Sequence, residues 1–246
     1  MKIIKLDAID STNSFLKELA HNSPLEDYTI VVAKSQTSGR GQMNASWVSK
    51  PNKNLTFSVL KQMKNLLIEH QSYLNFAVSL GIFKVLEELS VPNLTIKWPN
   101  DIMSGNKKIC GILLETTFHR KKIKNTVMGI GLNVNQKNFP KNIPQASSLF
   151  KILGEEFDLE KLLVNLTKSI QLQIDKLEHH RFDLIHQEYL KNLYKKNVPT
   201  AFKSEHTQSI FMGIIKEVSR LGNLRIQLED DSIVEFGIKE ISIARV

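Results

Sequence analysis

Apolar residues along this chain recur with two spacings, every second residue and every three to four, and the alternation between them predicts most of its elements. Residues 3–6 read as a short strand. Behind Asp10-Ser11-Thr12-Asn13, the residues Phe15, Leu16 and Leu19 fall at helical spacing, and Asp10 or Ser11 can cap that helix. Strands are predicted over 28–33 and 54–61; in the second, Leu55, Phe57 and Val59 alternate with Thr56 and Ser58. The polar stretch 34–47 between them contains Gly39-Arg40-Gly41 and reads as a long loop. Tyr73, Phe76, Ala77, Leu80, Val85 and Leu89 then give a helix over 69–89 with an apolar face to lay on a sheet.

An apolar run at 94–96 predicts a buried strand, which Pro99 stops because proline removes a ladder donor and fixes its own backbone angle. A turn through Ser104-Gly105-Asn106 reverses the chain, and Lys108 opens a strand to residue 118. After a basic turn at 120–124, residues 126–134 return as its hairpin partner. Amphipathic helices follow over 159–177 and 182–194. Beyond Lys195-Lys196-Asn197 the pattern changes to short strands at 209–217, 224–228, 233–236 and 238–244, which predicts a small β-barrel. The expected organisation is α+β, with a sheet and helices in residues 1–194 and the barrel in 195–246.

At 246 residues, the chain has room for one large and one small domain, and its 41% apolar and 24% charged residues are ordinary for a soluble protein. No stretch approaches the roughly eighteen uncharged apolar residues of a membrane helix. The opening Met1-Lys2-Ile3-Ile4-Lys5-Leu6-Asp7 is too polar for a signal peptide, so a cytoplasmic location without a membrane partner is expected. A single cysteine, Cys110, excludes an internal disulfide and a cysteine-rich zinc site. Between Ile109 and Gly111 it reads as a small buried residue rather than a nucleophile. The formal charge of +8 favours anionic partners: nucleotides, acidic proteins or nucleic acid.

The densest chemistry lies in Lys97-Trp98-Pro99-Asn100-Asp101 and the following Lys108. Two cations, a carboxylate and an amide brought to one rim suit a polyphosphate with its magnesium ion, although solvated lysines on an ordinary hairpin would look the same. Gly39-Arg40-Gly41 lets a backbone approach an anion closely, but it lacks the Gly-Lys-Ser ending of a P-loop. Gly129-Ile130-Gly131-Leu132-Asn133 leaves room for a flat group such as a purine, with the Asn133 amide as donor and acceptor; glycines marking a strand bulge are the alternative. The polar cluster at residues 10–13 either caps its helix or holds a polar ligand group.

Taken together these blocks resemble biotin protein ligases. The resemblance covers most of the chain: Ser11-Thr12-Asn13; Gln36 with Ser38-Gly39-Arg40-Gly41; Trp47; Lys97-Trp98-Pro99-Asn100-Asp101; Lys108 with Gly111-Ile112-Leu113; Gly129-Ile130-Gly131-Leu132-Asn133; and, in the tail, Gly213-Ile214-Ile215 with Gly222-Asn223-Leu224. It implies a mixed, mostly antiparallel sheet flanked by helices, followed by an SH3-like barrel. It also implies ATP and biotin as substrates, Mg2+, a biotin carboxyl carrier protein as partner, and a two-step reaction through biotinyl-5′-AMP. By the same resemblance Ser11, Thr12 and Gln36 would meet biotin's ureido ring, Gly39 and Arg40 its carboxylate, and Asn13 would also belong to the biotin site. Gly111 would let the strand lie close to the ligand and Trp47 would cover it. Arg40, Lys108 and Lys97 would carry the charge of the reaction. Gln42, Trp47, Asn100, Asp101 and Asn133 would face the nucleotide, with Asp101 the one candidate metal ligand.

Two departures bear on these expectations. Where many family members read Gly-Arg-Gly-Arg-Arg-Gly-Arg, this chain has Gly39-Arg40-Gly41-Gln42-Met43-Asn44-Ala45, so three cations and a glycine are missing from the loop that would order over the adenylate. The first motif begins at residue 11, which leaves no room for an N-terminal helix-turn-helix; a ligase without repressor function or DNA partner is the expectation. A homodimer is compatible with the sequence. Lipoate ligation is the chemical rival, opposed by the Lys-Trp-Pro-Asn-Asp block. A nucleic-acid-binding module would account for the charge and leave both motif blocks unexplained.

Overall fold

The computed structural model describes residues 2–42 and 45–244, so Met43 and Asn44 of the divergent loop lie outside the described residues. Seven strands form the principal sheet: β1 (Ile3–Ile9), β2 (Ile30–Gln36), β3 (Leu55–Gln62), β4 (Leu94–Lys97), β5 (Asp101–Ser104), β6 (Lys107–His119) and β7 (Lys122–Leu132). Their order is β1-β2-β3-β7-β6-β5-β4. Only β1 and β2 run parallel, joined through helix α1 (Thr12–Asn22); every other neighbouring pair is antiparallel. The sheet is thus mixed and mostly antiparallel, as expected.

Each face of this sheet is covered differently. Leu55, Phe57 and Val59 of β3, Cys110 and Ile112 of β6 and Met128, Ile130 and Leu132 of β7 join one apolar core with helices α2 (Gln71–Glu88) and α4 (Leu159–Glu178). Helix α2 is apolar around most of its circumference because it lies between the sheet and α4, with α5 (Phe182–Lys191) alongside. The other face of β3, β6 and β7 carries small or polar residues: Thr56, Ser58, Gly111, Gly129 and Gly131. On that face the one fully buried apolar side chain of α1 is Leu16, against Val31, Leu60 and Val127. A sheet with a full core behind it and a thin cover in front has space for a cleft.

Three local elements differ from the pattern read in the sequence. Residues 101–104 form a strand of their own, with Lys97 opposite Asp101 across the cis Trp98–Pro99 turn. Pro99 sits at the bend, where it removes no ladder bond, and Ile102-Met103 supply the apolar residues of the new strand. A short helix, α3 (Leu149–Leu153), is capped by the Ser148 hydroxyl at its start and by Gly154 at φ 82° at its end. Strand β8 (Pro199–Ser204) begins on proline, which a first strand position tolerates.

The expected barrel is not closed. Strands β8, β9 (Ile210–Val218), β10 (Leu224–Gln227), β11 (Ile233–Phe236) and β12 (Ile241–Ile243) form an antiparallel sheet ordered β11-β10-β9-β8-β12, with β11 and β12 at opposite edges. Between those two strands the chain makes a turn in which Glu240 N–H donates to Gly237 O, and Gly237 N–H donates to the Glu240 carboxylate rather than to a neighbouring strand. Phe202, Ile215, Val218, Leu224, Ile226 and Ile241 belong to the same apolar cluster as the principal sheet, so the core continues past residue 195. No helix among the described residues is long and apolar enough to cross a membrane.

Behind the sheet α2 and α4 approach closely at Gly81, where an added Cβ would lie 2.7 Å from Ile170 Cα. Gly81→Val should therefore force the two helices apart and cost about 3 kcal/mol, seen as a lower denaturant midpoint at unchanged slope.

Candidate active site

The thinly covered face holds a cavity of about 240 Å³ between α1, the loop 40–47, the turn after β4 and the centres of β3, β6 and β7. Ser11, Thr12 and Asn13 line one end because α1 starts there. The Ser11 hydroxyl caps the helix by accepting from Ser14 N–H at 3.4 Å, and all three side chains are buried. Capping and lining are therefore properties of the same few residues.

A hydrogen-bonded chain fixes this end. The amide and hydroxyl of Thr12 both donate to Gln36 Oε1, at 2.8 and 3.0 Å. Ser58 Oγ, buried on β3, lies 2.8 Å from Thr12 Oγ1 and 2.6 Å from Asn13 Oδ1, and its hydroxyl donates to one or the other. Asn13 Nδ2 donates to Leu113 O at 3.2 Å and to Glu115 Oε2 at 2.9 Å. Polar groups in a buried chain are held in one orientation, because any rotation leaves an unsatisfied partner.

Trp47 forms the wall across the middle. Gly111 and Gly131 are paired across β6 and β7, and the indole lies against that bare patch: a Cβ on Gly131 would come within 2.3 Å of it. The flat group resting on these glycines is thus the chain's own tryptophan, where the sequence had left room for a purine. Trp47 Nε1 and, beside it in the lining, Gln42 Oε1 are buried without a hydrogen-bond partner among the described residues. Buried polar atoms of this kind mark a place for a polar ligand.

Charged groups flank the cavity, Lys108 past Trp47 on one side and Arg40 beside Asn13 on the other. Lys108 Nζ is 2.7 Å from Asp101 Oδ1 and 5.7 Å from the centre of the Trp47 ring. Asn100 is buried and ties the turn to β6: its Nδ2 donates to Ile112 O at 2.6 Å, while Ile112 N–H donates to Asn100 O at 3.0 Å. Arg40 enters from the loop and donates to Glu115 Oε2 at 2.8 Å. Lys17 pairs with the other oxygen, Glu115 Oε1, also at 2.8 Å. Burial pushes the Glu115 carboxyl up, but hydrogen bonds from Lys17 and Asn13 and the charge of Arg40 outweigh it and hold the group below its ordinary range. A carboxylate stabilised in this way favours folding above its ordinary pKa, and that contribution fades as pH falls through the lowered one.

Several sequence-predicted residues stand elsewhere. Lys97 faces Asp101 in the β4–β5 pair and does not line the cavity. Gly39 lies behind the loop, its position fixed by the Trp47 N–H bond to Gly39 O at 2.8 Å. Asn133 is buried beyond the wall, where its Nδ2 donates to Ser147 O at 2.9 Å. Glu115 and Ser58 were not read as site residues in the sequence, although both fall on the alternation that puts Gly111, Leu113 and Thr56 on this face. Among the described residues no three His, Cys, Asp or Glu side chains gather into a metal-binding group, and Asp101 stands as a single carboxylate paired with Lys108.

Residues 6–133, just over half of the 246, match the model of the Biotin/lipoate A/B protein ligase family. The chain belongs to that family. It is 28% identical over 247 aligned positions to the bifunctional ligase/repressor BirA of Bacillus subtilis, covering 99% of this chain and 73% of that protein. It is 27% identical over 168 to the biotin–[acetyl-CoA-carboxylase] ligase of Mycobacterium tuberculosis, covering 67% and 60%. Among solved structures, the Aquifex aeolicus biotin protein ligase in complex with biotin and ATP superposes with a TM-score of 0.80 at 28% identity, over 100% of this chain and 99% of that one.

Two measurements test the geometry without a substrate. Gly131→Val should displace the indole and shift the emission of Trp47, one of two tryptophans, with Trp98→Phe used to isolate its signal. Cys110 is fully buried and burial pushes its thiol far up, so thiol reagents should label it only on unfolding.

Proposed function

We propose that this chain is an ATP-dependent biotin protein ligase. The observation that carries the reading is one cavity, in a member of this ligase family, lined both by neutral hydroxyls and amides at Ser11, Thr12, Asn13 and Gln36 and by two cations, Arg40 and Lys108. A small carboxylic acid with a polar head fits that polarity, its head among the hydroxyls and amides and its carboxylate toward the cations.

In the first step a carboxylate oxygen of biotin attacks the α-phosphorus of ATP, a P–O bond forms, and pyrophosphate leaves with its electron pair. Two anions must approach, so the site's work is to place positive charge where the pentavalent phosphorus develops. Arg40 and Lys108 take that role, with Lys97 behind them on β4. Lys108 is pre-oriented by Asp101 and steered by the face of Trp47, while Asn100 keeps the turn against β6. Asp101 is the carboxylate that would hold a magnesium ion brought in on the nucleotide, where the ion would offset phosphate charge. Gln42, Asn100 and Asp101 face the phosphates, Trp47 covers the acyl chain over Gly111, and Asn133 lies on the adenine side. In the second step the amine of a carrier-protein lysine attacks the acyl carbon and AMP leaves; no enzyme nucleophile takes part.

The test is pyrophosphate release and ATP–pyrophosphate exchange with biotin or with lipoate as the acid. Exchange is expected with biotin alone; exchange with lipoate alone overturns the assignment. Arg40→Ala should lower biotin-dependent exchange by roughly a hundredfold or more, the weight of a lost transition-state charge contact, at an unchanged melting temperature. Wild-type exchange in that variant refutes the role of Arg40.

A further inference from the structure

Glu115, like Asp101, is an element of the site whose presence electrostatics alone would discourage. The proposed reaction gathers a carboxylate and a triphosphate, and a further carboxylate at the same rim repels both. Yet Glu115 is only 19% exposed and receives three donors at once: Asn13 Nδ2, Lys17 Nζ and Arg40 Nη2, at 2.9, 2.8 and 2.8 Å. It lies on the cavity face of β6, two residues on from Leu113 and four from Gly111, both of which line the cavity.

We propose that Glu115 is a positioning residue that sets Arg40 at the mouth of the cavity, anchored to the ligand-facing start of α1 through Asn13. One N–H···O bond engages one of the five guanidinium donors, so the arginine can be held and still offer others to phosphate. The same carboxylate oxygen accepts from Asn13, whose Oδ1 meets the Ser58 hydroxyl beside Thr12. The position of the loop arginine is thereby referenced to the floor on which the acid's head group would lie. This matters more here than in a loop with several arginines, because Arg40 is the only cation between residues 35 and 49. Lys17 neutralises the carboxylate from the outer side, on the oxygen that Arg40 does not use. The low pKa of Glu115 agrees with an anion present throughout the neutral range.

The proposal rests on the ligase reading, and its test separates the two. A carboxylate acting only through its charge would repel ATP, so neutralising it should tighten nucleotide binding; a carboxylate that positions Arg40 predicts the reverse. ATP affinity is measured by calorimetry without biotin, and the KM for ATP and for biotin by exchange. Glu115→Gln is expected to weaken ATP binding and raise its KM on the order of tenfold, the loss of one well-placed charge-assisted hydrogen bond, with the KM for biotin within about twofold. Glu115→Asp keeps the charge but withdraws it by one methylene, and should show a similar loss. In an Arg40→Ala background Glu115→Gln should cost nothing more in ATP affinity, whereas Lys17→Met alone should stay near wild type. Unaltered or tighter ATP binding in Glu115→Gln, or a full additional loss on top of Arg40→Ala, overturns the proposal. Weakened ATP binding in Glu115→Gln in a protein that shows no biotin-dependent exchange supports the positioning role and removes the ligase reading alone.

Discussion

A cleft can open at the centre of a sheet only where neighbouring strands carry nothing on one face, and the rest of this site follows from that constraint. Gly111 and Gly131 stand side by side on β6 and β7, and Gly129 lies next to them along β7. With no side chains above them, the Trp47 indole can come down onto the backbone and wall the space between the start of α1 and Lys108. The cost of bare strands is met on the opposite face, where the same strands place Cys110, Ile112, Met128, Ile130 and Leu132 into a continuous core beneath α2. The strands that shape the cleft are thus among the best anchored in the molecule.

The second organising feature is that the site's cations are held by carboxylates before any ligand arrives. Lys108 is paired with Asp101, and Arg40 with Glu115. An isolated lysine or arginine at a rim samples many rotamers, and ordering it on binding costs free energy. A short ion pair removes part of that cost in advance, at the price of local repulsion toward an incoming anion. The two pairs differ in reach. Asp101 belongs to the same pair of hairpins as its lysine, whereas Glu115 connects a loop to the sheet and, through Asn13, to the helix start.

How much of this was legible in the sequence depends on the kind of signal. The central strands were readable because Leu55, Phe57 and Val59 alternate cleanly with smaller polar residues, and α2 and α4 because their apolar residues recur at helical spacing. The strand before Pro99 does end there, at Lys97, but the return strand at 101–104 was missed because it holds only two apolar residues, Ile102 and Met103. The barrel failed for a different reason. Counting short strands cannot say whether the two edge strands, here β11 and β12, pair with each other, since closure depends on the intervening turn, and here Glu240 satisfies the Gly237 amide within that turn. The cavity-lining residues from Ser11 to Gly111 were found by motif, while Lys97 and Asn133, drawn from the same motifs, lie outside the lining. Sequence proximity to a motif does not determine which side of a strand a residue takes. Glu115 was missed because a lone glutamate near a strand's outer half looks like solvent-facing charge, and only the fold brings Lys17, Asn13 and Arg40 to it.

The five-stranded sheet has a physical connection to this chemistry. Trp98 Nε1 donates to Gly222 O at 2.8 Å, in the β9–β10 turn, while the neighbouring Arg220 O accepts from the Ser72 hydroxyl of α2. Arg220 also pairs with Asp183 at the start of α5, at 2.7 Å. The turn that presents Asn100 and Asp101 is therefore gripped from two sides: by β6 through Asn100, and by the C-terminal sheet through Trp98. A bend that carries a cavity-lining carboxylate has little secondary structure of its own to fix it, so its geometry must come from what it packs against. The apolar core that runs unbroken through both sheets supplies that rigidity, and it makes the C-terminal sheet part of the scaffold of the site rather than an appendage to it.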